Sequence, residues 1–278
     1  MIDFFIPVAD WVNIAFEAIS MSISPTLRAI SSFLEVLIKG FENTLLWPPE
    51  VIILVLTGLL VWKIAGTKLA VFAVLGLLAT IGMNVWQETM ATVALALSGT
   101  MVSLLFAIPL GILASQSNTA ERIIRPILDF MQTLPSFVYL IPAVMFFGMG
   151  KVAALVATMI FAMPPAVRLT NLGIREVSPE MVEAARAYGA SRWQTLGDVQ
   201  LPLALPTIMA GINQCIMMAL SMTVIASMIG AGGLGLVVLR SMQTLDIGMG
   251  TVGGLGIVIL AIILDRLTES IAGDNRNT

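Results

Sequence analysis

Histidine is absent from this 278-residue chain. The commonest zinc ligand and the readiest proton shuttle at neutral pH are therefore missing. The single cysteine, Cys215, excludes an intrachain disulfide and lies inside an apolar run, where it reads as a packed residue. Charge is scarce as well: 11% of residues carry it, against about a quarter in a soluble domain. That shortage excludes an ordinary soluble fold. The net charge of −3, with no basic tail, excludes nucleic acid as an expected partner. The opening "MIDFFIPVADW" lacks the basic stretch and long apolar run of a signal peptide. No G-x-x-x-x-G-K-[ST] occurs, so no P-loop is expected here. Paired carboxylates and Ser-His or Cys-His arrangements are missing too. The chain reads as a non-enzyme with no metal and no cofactor of its own.

What is present is hydrophobic: 58% of residues, with a mean hydropathy of +0.97. These residues come in charge-free runs, which predicts an all-α polytopic membrane protein. Seven spans are expected, at about 47–66, 69–86, 89–114, 126–148, 152–175, 205–230 and 247–264. Only Arg28, Lys39, Lys151 and Arg240 fall outside if the N-terminus is outside; the other ten of the fourteen Lys and Arg then lie inside or at that boundary. That places the C-terminus inside, with 271–278 a short cytoplasmic tail.

Asp3, Asp10, Glu17, Glu35 and Glu42 interrupt the apolar runs of 1–46, so no span is expected there. Leu27, Ile30, Phe33, Leu34, Leu37, Ile38 and Phe41 recur at helical spacing. Two readings stand: an amphipathic helix on the outer face of the membrane, or a helix packed on a partner.

One polar insert breaks the pattern, "EAARAYGASRWQTLGDVQLPLALP", residues 183–206, most of it in a cytoplasmic loop expected at 177–204. Ser178, Pro179 and Glu180 make a helix start, and Gly189 makes a stop. Ser191 and Gln194 then form a capping box, and the second helix is expected to end before Pro202. A solvated loop with good caps is one reading. Trp193, a large apolar ring in such a loop, favours the other, an anchor for a protein groove.

Glu183-Ala184-Ala185, three residues, Gly189, nine residues, Val199-Gln200-Leu201-Pro202: this spacing resembles the EAA loop of ABC importer permeases, with Val199 where isoleucine is usual. The stretches "LDFMQTLPSFVYLIPAVMFFGMG", "QLPLALPTIMAGINQ" and "MTVIASMIGAGGLG" resemble the ProU-type permeases of the glycine betaine/proline betaine/choline family, over roughly 90–270. The resemblance implies a type I importer permease fold in a bacterial plasma membrane. It implies a coupling helix at 190–201, with Ala190, Ser191, Arg192, Trp193, Gln194, Leu201 and Pro202 facing a groove of a separate ATPase. Gly189 would allow the turn into it, and Glu183, Ala184 and Ala185 would pack the preceding helix on the permease surface. Implied partners are a second copy in a homodimer, two ATPase subunits that bind ATP and Mg, and an extracytoplasmic binding protein. The implied cargo is a quaternary ammonium solute. Methionine or another small solute, an ion-coupled carrier and a non-transporting scaffold are the rivals.

"GAGGLG" at 230–235 fits a dinucleotide fingerprint, but no βαβ pattern or acidic residue supports it. A flexible external loop and plain packing glycines both explain Gly230, Gly232 and Gly233. Pro142, Pro164 and Pro165 kink expected spans and are candidate gate residues, unless they are merely tolerated. Met218 and Met222 would give either a soft pathway lining or simple core packing. Arg168 and Asp129 read as boundary charges, Asp129 pairing with Arg125 one turn away. Gly250 and Gly254 form a G-x-x-x-G that could bring two helices close.

Overall fold

The computed structural model describes residues 8–274, and all regular structure among them is helical. The first helix, α1 (Val8–Leu46), is followed by α2 (Glu50–Gly82), α3 (Trp86–Gln116) and α4 (Asn118–Thr133). A 3₁₀ turn leads into α5 (Leu140–Phe147), then α6 (Lys151–Arg175) and α7 (Pro179–Ala187). The short α8 (Arg192–Gln194) passes through a π-helical turn, Thr195–Gln200, into α9 (Leu201–Ala226). The chain closes with α10 (Leu234–Thr244) and α11 (Ile247–Asp274).

The centre is the trio α3, α6 and α9. Apolar side chains gain little from meeting each other in lipid, so close backbone approach must hold such helices together. A Cβ on Gly111 of α3 would stand 2.8 Å from the Val167 carbonyl oxygen of α6. One on Gly211 of α9 would stand 2.9 Å from Leu169 Cβ. With Thr100 Oγ1 as an exception, hydroxyls buried in these seams bond to backbone: Ser103 Oγ donates to Gly99 O at 2.7 Å, and to Met159 O of α6 at 3.2 Å. Small residues with self-satisfied hydroxyls thus replace the large apolar core of a soluble domain.

Five helical stretches are long and apolar enough to cross a bilayer, and α4 with the α5 segment makes a sixth, bent by 109°. The expected spans take a different form at two places. The expected spans 47–66 and 69–86 are the arms of one broken element, α2. At Gly66 the backbone leaves the helix, with φ 82° and ψ 178°. A Cβ on Gly58 would stand 2.8 Å from Val74 Cγ2. In an unbroken helix positions 58 and 74 would be ~24 Å apart, so α2 folds back into a hairpin. The expected span 126–148 is the bent pair. Pro135 forces Leu134 out of helix, to φ −72° and ψ 135°. Tyr139 then donates a hydrogen bond to Met131 O across the corner.

At the N-terminal end α1 buries Leu34 and Ile38 with Leu95 and Val102 of α3, and Glu42 pairs with Lys151 at the start of α6. This part of the apolar stripe is spent on protein. Residues 1–7 lie outside the described residues. At the other end, 271–274 belong to α11 rather than to a tail, and 275–278 lie outside the described residues.

Candidate functional site: the polar insert and a charged cavity

Helix α7 begins as the sequence predicts, with Ser178 in the N-cap position and Pro179 first, although the Ser178 side chain makes no cap bond. It ends in a Schellman motif. Gly189 N donates to Arg186 O at 2.9 Å and Ala190 N to Ala185 O at 3.0 Å, with Gly189 at φ 88°. Two residues on, the capping box forms: Ser191 Oγ accepts from Gln194 N at 3.4 Å, and Gln194 Oε1 accepts from Ser191 N at 2.8 Å.

The second helix does not stop before Pro202. Leu201 N donates to Leu196 O, five residues back, and the helix continues through Pro202 into α9. The wide π-helical turn changes the hydrogen-bond register immediately before the proline, whose missing donor falls in the first turn of α9. Insert and span are therefore one rod from Arg192 to Ile229.

The packing of α7 also differs from expectation. Glu183 and Ala184 are exposed and Ala185 half-buried; it is Val182 that packs against the cluster of Ile174, Val177, Leu196, Ala204 and Ile208. Val182 and Ala185 are three apart and share the inward face, which turns Glu183 and Ala184 outward. Trp193 is 76% exposed and Tyr188 95% exposed. In the sequence Tyr188 looks like any helix-terminal residue.

Two guanidiniums fasten the base of the insert to α3. Arg192 Nη2 donates to Gln116 O at 2.8 Å, and Arg175 Nη2 donates to Ala114 O at 2.8 Å. The last carbonyls of a helix have no partner within it and carry its partial negative charge, so a cation completes both needs. Arg175 also binds Asn118 Oδ1 at 2.9 Å and pairs with Glu121 at 3.1 Å.

Above this base lies a cavity of about 280 Å³ between α4 and α6, lined by Glu121, Arg125, Asp129, Arg168, Asn171 and Arg175 among others. Asp129 pairs with Arg168 of α6 rather than with Arg125. The sequence signal was there in weak form, since ionisable residues within spans are rare and usually functional. The partnership across 39 positions was not readable.

None of the eight gate candidates lines this cavity. Pro164 and Pro165 are buried in an α6 that stays helical, Met222 is buried, Met218 half-buried, and Pro142 exposed on α5. Gly230, Gly232 and Gly233 have φ of 87°, 81° and 73°. They make a turn whose end packs on α3, where Leu234 N donates to Thr92 Oγ1 at 2.9 Å. A Cβ on Gly233 would stand 2.5 Å from that oxygen. Packing accounts for Gly233, and positive φ for Gly230 and Gly232.

Long apolar helices joined by one polar, helical, aromatic-bearing insert define a membrane transport subunit. Residues 107–273 match the family model described as binding-protein-dependent transport system inner membrane component. The chain is 46% identical to the glycine betaine/proline betaine transport system permease protein ProW of Escherichia coli (strain K12), over 98% of this chain and 77% of that protein. It is 47% identical to the glycine betaine/carnitine transport permease protein GbuB of Listeria monocytogenes serotype 1/2a (strain 10403S), over 95% of each. The fold is similar to that of the MetNI methionine ABC transporter in inward-facing conformations: TM-score 0.62, 20% identity, 66% of this chain and 93% of that one.

The chain belongs to the binding-protein-dependent transport system inner membrane component family. It is a multi-pass inner-membrane permease subunit of an ABC importer, with the type I fold.

Proposed function

We propose that this permease carries a quaternary ammonium solute, glycine betaine, proline betaine or choline, into the cell. Two copies would assemble with two separate ATPase subunits, which bind ATP and Mg, and an extracytoplasmic binding protein would deliver the solute. The N-terminus would lie outside and the C-terminus inside. This orientation follows from the Lys and Arg distribution and puts the insert on the ATPase side.

The observation that carries the reading is mechanical. The rod from Arg192 to Ile229 has no break, and it begins beside two exposed aromatic rings, Tyr188 and Trp193. An apolar ring on a short rigid helix suits a groove on another protein. A push on Trp193 would move α9 as a lever, because the capping box and the π-helical turn keep the segment helical to its end. Glu183, Ala184, Ala185, Gly189, Ala190, Ser191, Gln194, Leu201 and Pro202 shape that lever. The similarity to ProW and GbuB, permeases named for glycine betaine with proline betaine or carnitine, supports the cargo; the MetNI likeness speaks to fold alone.

The test is uptake of labelled glycine betaine by vesicles holding the permease, its ATPase and its binding protein. The expected result is accumulation that needs ATP and survives collapse of the sodium and proton gradients. Accumulation by the permease without the ATPase would overturn the reading.

A further inference from the structure

The cavity between α4 and α6 has charge of both signs on elements that are long and apolar enough to cross a membrane, α4 counted together with the α5 segment. Arg168 lies in the span Lys151–Arg175, and Asp129 lies in the bent pair. A charge within a span is expensive, and it persists where it serves a pathway or a ligand. Neither partner is sealed in: the side chains are 42% and 53% exposed. The remaining lining adds Arg125, Arg175 and Glu121, so three guanidiniums face two carboxylates. Arg175 is held by Glu121, whereas Arg125 pairs with no carboxylate among the described residues. The volume of about 280 Å³ falls just under the ~300–1,000 Å³ of drug-sized sites, which suits a small solute.

We propose that the Arg168–Asp129 cavity is a transit site for a small zwitterion, with the ion pair standing in for the solute when the site is empty. On entry the solute exchanges partners with the pair. Its carboxylate takes Arg168, with Arg125 nearby, and its ammonium end takes Asp129. Neither Arg168 nor Asp129 is left unpaired at any stage, so passage avoids the cost of opening their ion pair without replacement. A simple carboxylate can take the unpaired Arg125 but leaves the Arg168–Asp129 pair closed, so it meets one charged group where the zwitterion meets two. A simple cation would leave Arg168 and Arg125 facing each other with one carboxylate. This proposal rests on the zwitterionic part of the cargo reading above, glycine betaine or proline betaine, and gives it a location.

The test uses the assembled permease–ATPase complex in nanodiscs, carrying Leu172→Cys on the cavity wall. The native Cys215 is 0% exposed and provides a silent background, checked on the unsubstituted complex. The rate of thiol labelling is measured with glycine betaine, choline chloride or sodium acetate at equal osmolality. At a concentration twice its dissociation constant glycine betaine occupies about two thirds of sites and slows labelling about threefold. Choline and acetate slow it less. Adding Arg168→Gln removes protection by glycine betaine. Adding Asp129→Asn reverses the preference, so that acetate protects better than glycine betaine. Equal labelling with and without glycine betaine, protection that survives Arg168→Gln, or equal protection by acetate in the Leu172→Cys complex would overturn the site. Uptake by the unsubstituted complex is measured in parallel: its absence contradicts the cargo reading, while the labelling result decides the site by itself.

Discussion

Arg192 on the insert donates to the main-chain oxygen of Gln116 at 2.8 Å, across 76 positions of sequence. The contact ties the rod to the end of α3, and Gln116 Nε2 reaches Gln200 Oε1 at 3.4 Å beside it. A motion of the insert is therefore shared by α3 and α9. Arg192 lies at an exposed site, so its contact is worth only about 1 kcal/mol, roughly five-fold in a docking equilibrium. Arg192→Ala is expected to leave the ATPase bound and lower uptake per ATP hydrolysed about five-fold; Arg192→Lys restores part of it. Measuring hydrolysis and uptake on the same vesicles checks this.

Gly189 has φ 88° and open space where a Cβ would go. Substitution there is a conformational matter, costing about 1–2 kcal/mol for an L side chain. The expected order of uptake is Gly, then Asn, then Ala, then Val, with membrane insertion unchanged. Equal uptake by Gly189→Val would show that the turn is not needed.

Removing the capping box by Ser191→Ala should cost about 1 kcal/mol. The measurement is hydrogen exchange in the insert. Amides of Gln194 and Thr195 are expected to exchange about five-fold faster, with little change in α6 or α11. Ser191→Asp should keep the native rate.

The α6–α9 seam is tighter than the sequence motif nearest to it. A Cβ on Gly211 would meet Leu169 Cβ at 2.9 Å and Ala166 Cα at 3.3 Å, whereas one on Gly254 would meet nothing within 4 Å. Gly211→Leu is expected to destabilise by about 1–3 kcal/mol through overpacking and to lower the melting temperature in detergent. Gly254→Ala should be neutral or slightly stabilising.

The glycine pair 250 and 254 shows where sequence reading stops. Gly250 does approach α10, with Ser241 Oγ 2.8 Å from its would-be Cβ, but the second contact on that face falls to Gly253 against Val238. Motif spacing gives a face of an isolated helix, while the crossing geometry chooses the residue. The caps at Gly189 and Ser191 were legible because every partner lies within five residues. The long helices were legible because apolar runs are local. Pro202 was read as a stop because a π-helical turn leaves no local signature. The Asp129–Arg168 pair was assigned to the wrong arginine because one-turn spacing was all the sequence offered. The fold-back at Gly66 was legible as two apolar runs, but not as two arms in contact.

The most direct test of the lever is a crosslink. Trp193→Cys, in the complete transporter with a cysteine placed in the ATPase groove, is treated with a short bifunctional thiol reagent with and without ATP. The account predicts a permease–ATPase crosslink whose yield changes with nucleotide, and loss of uptake once it forms. A Trp193→Cys labelled only from outside sealed vesicles, or uptake undiminished by a complete crosslink, would contradict it.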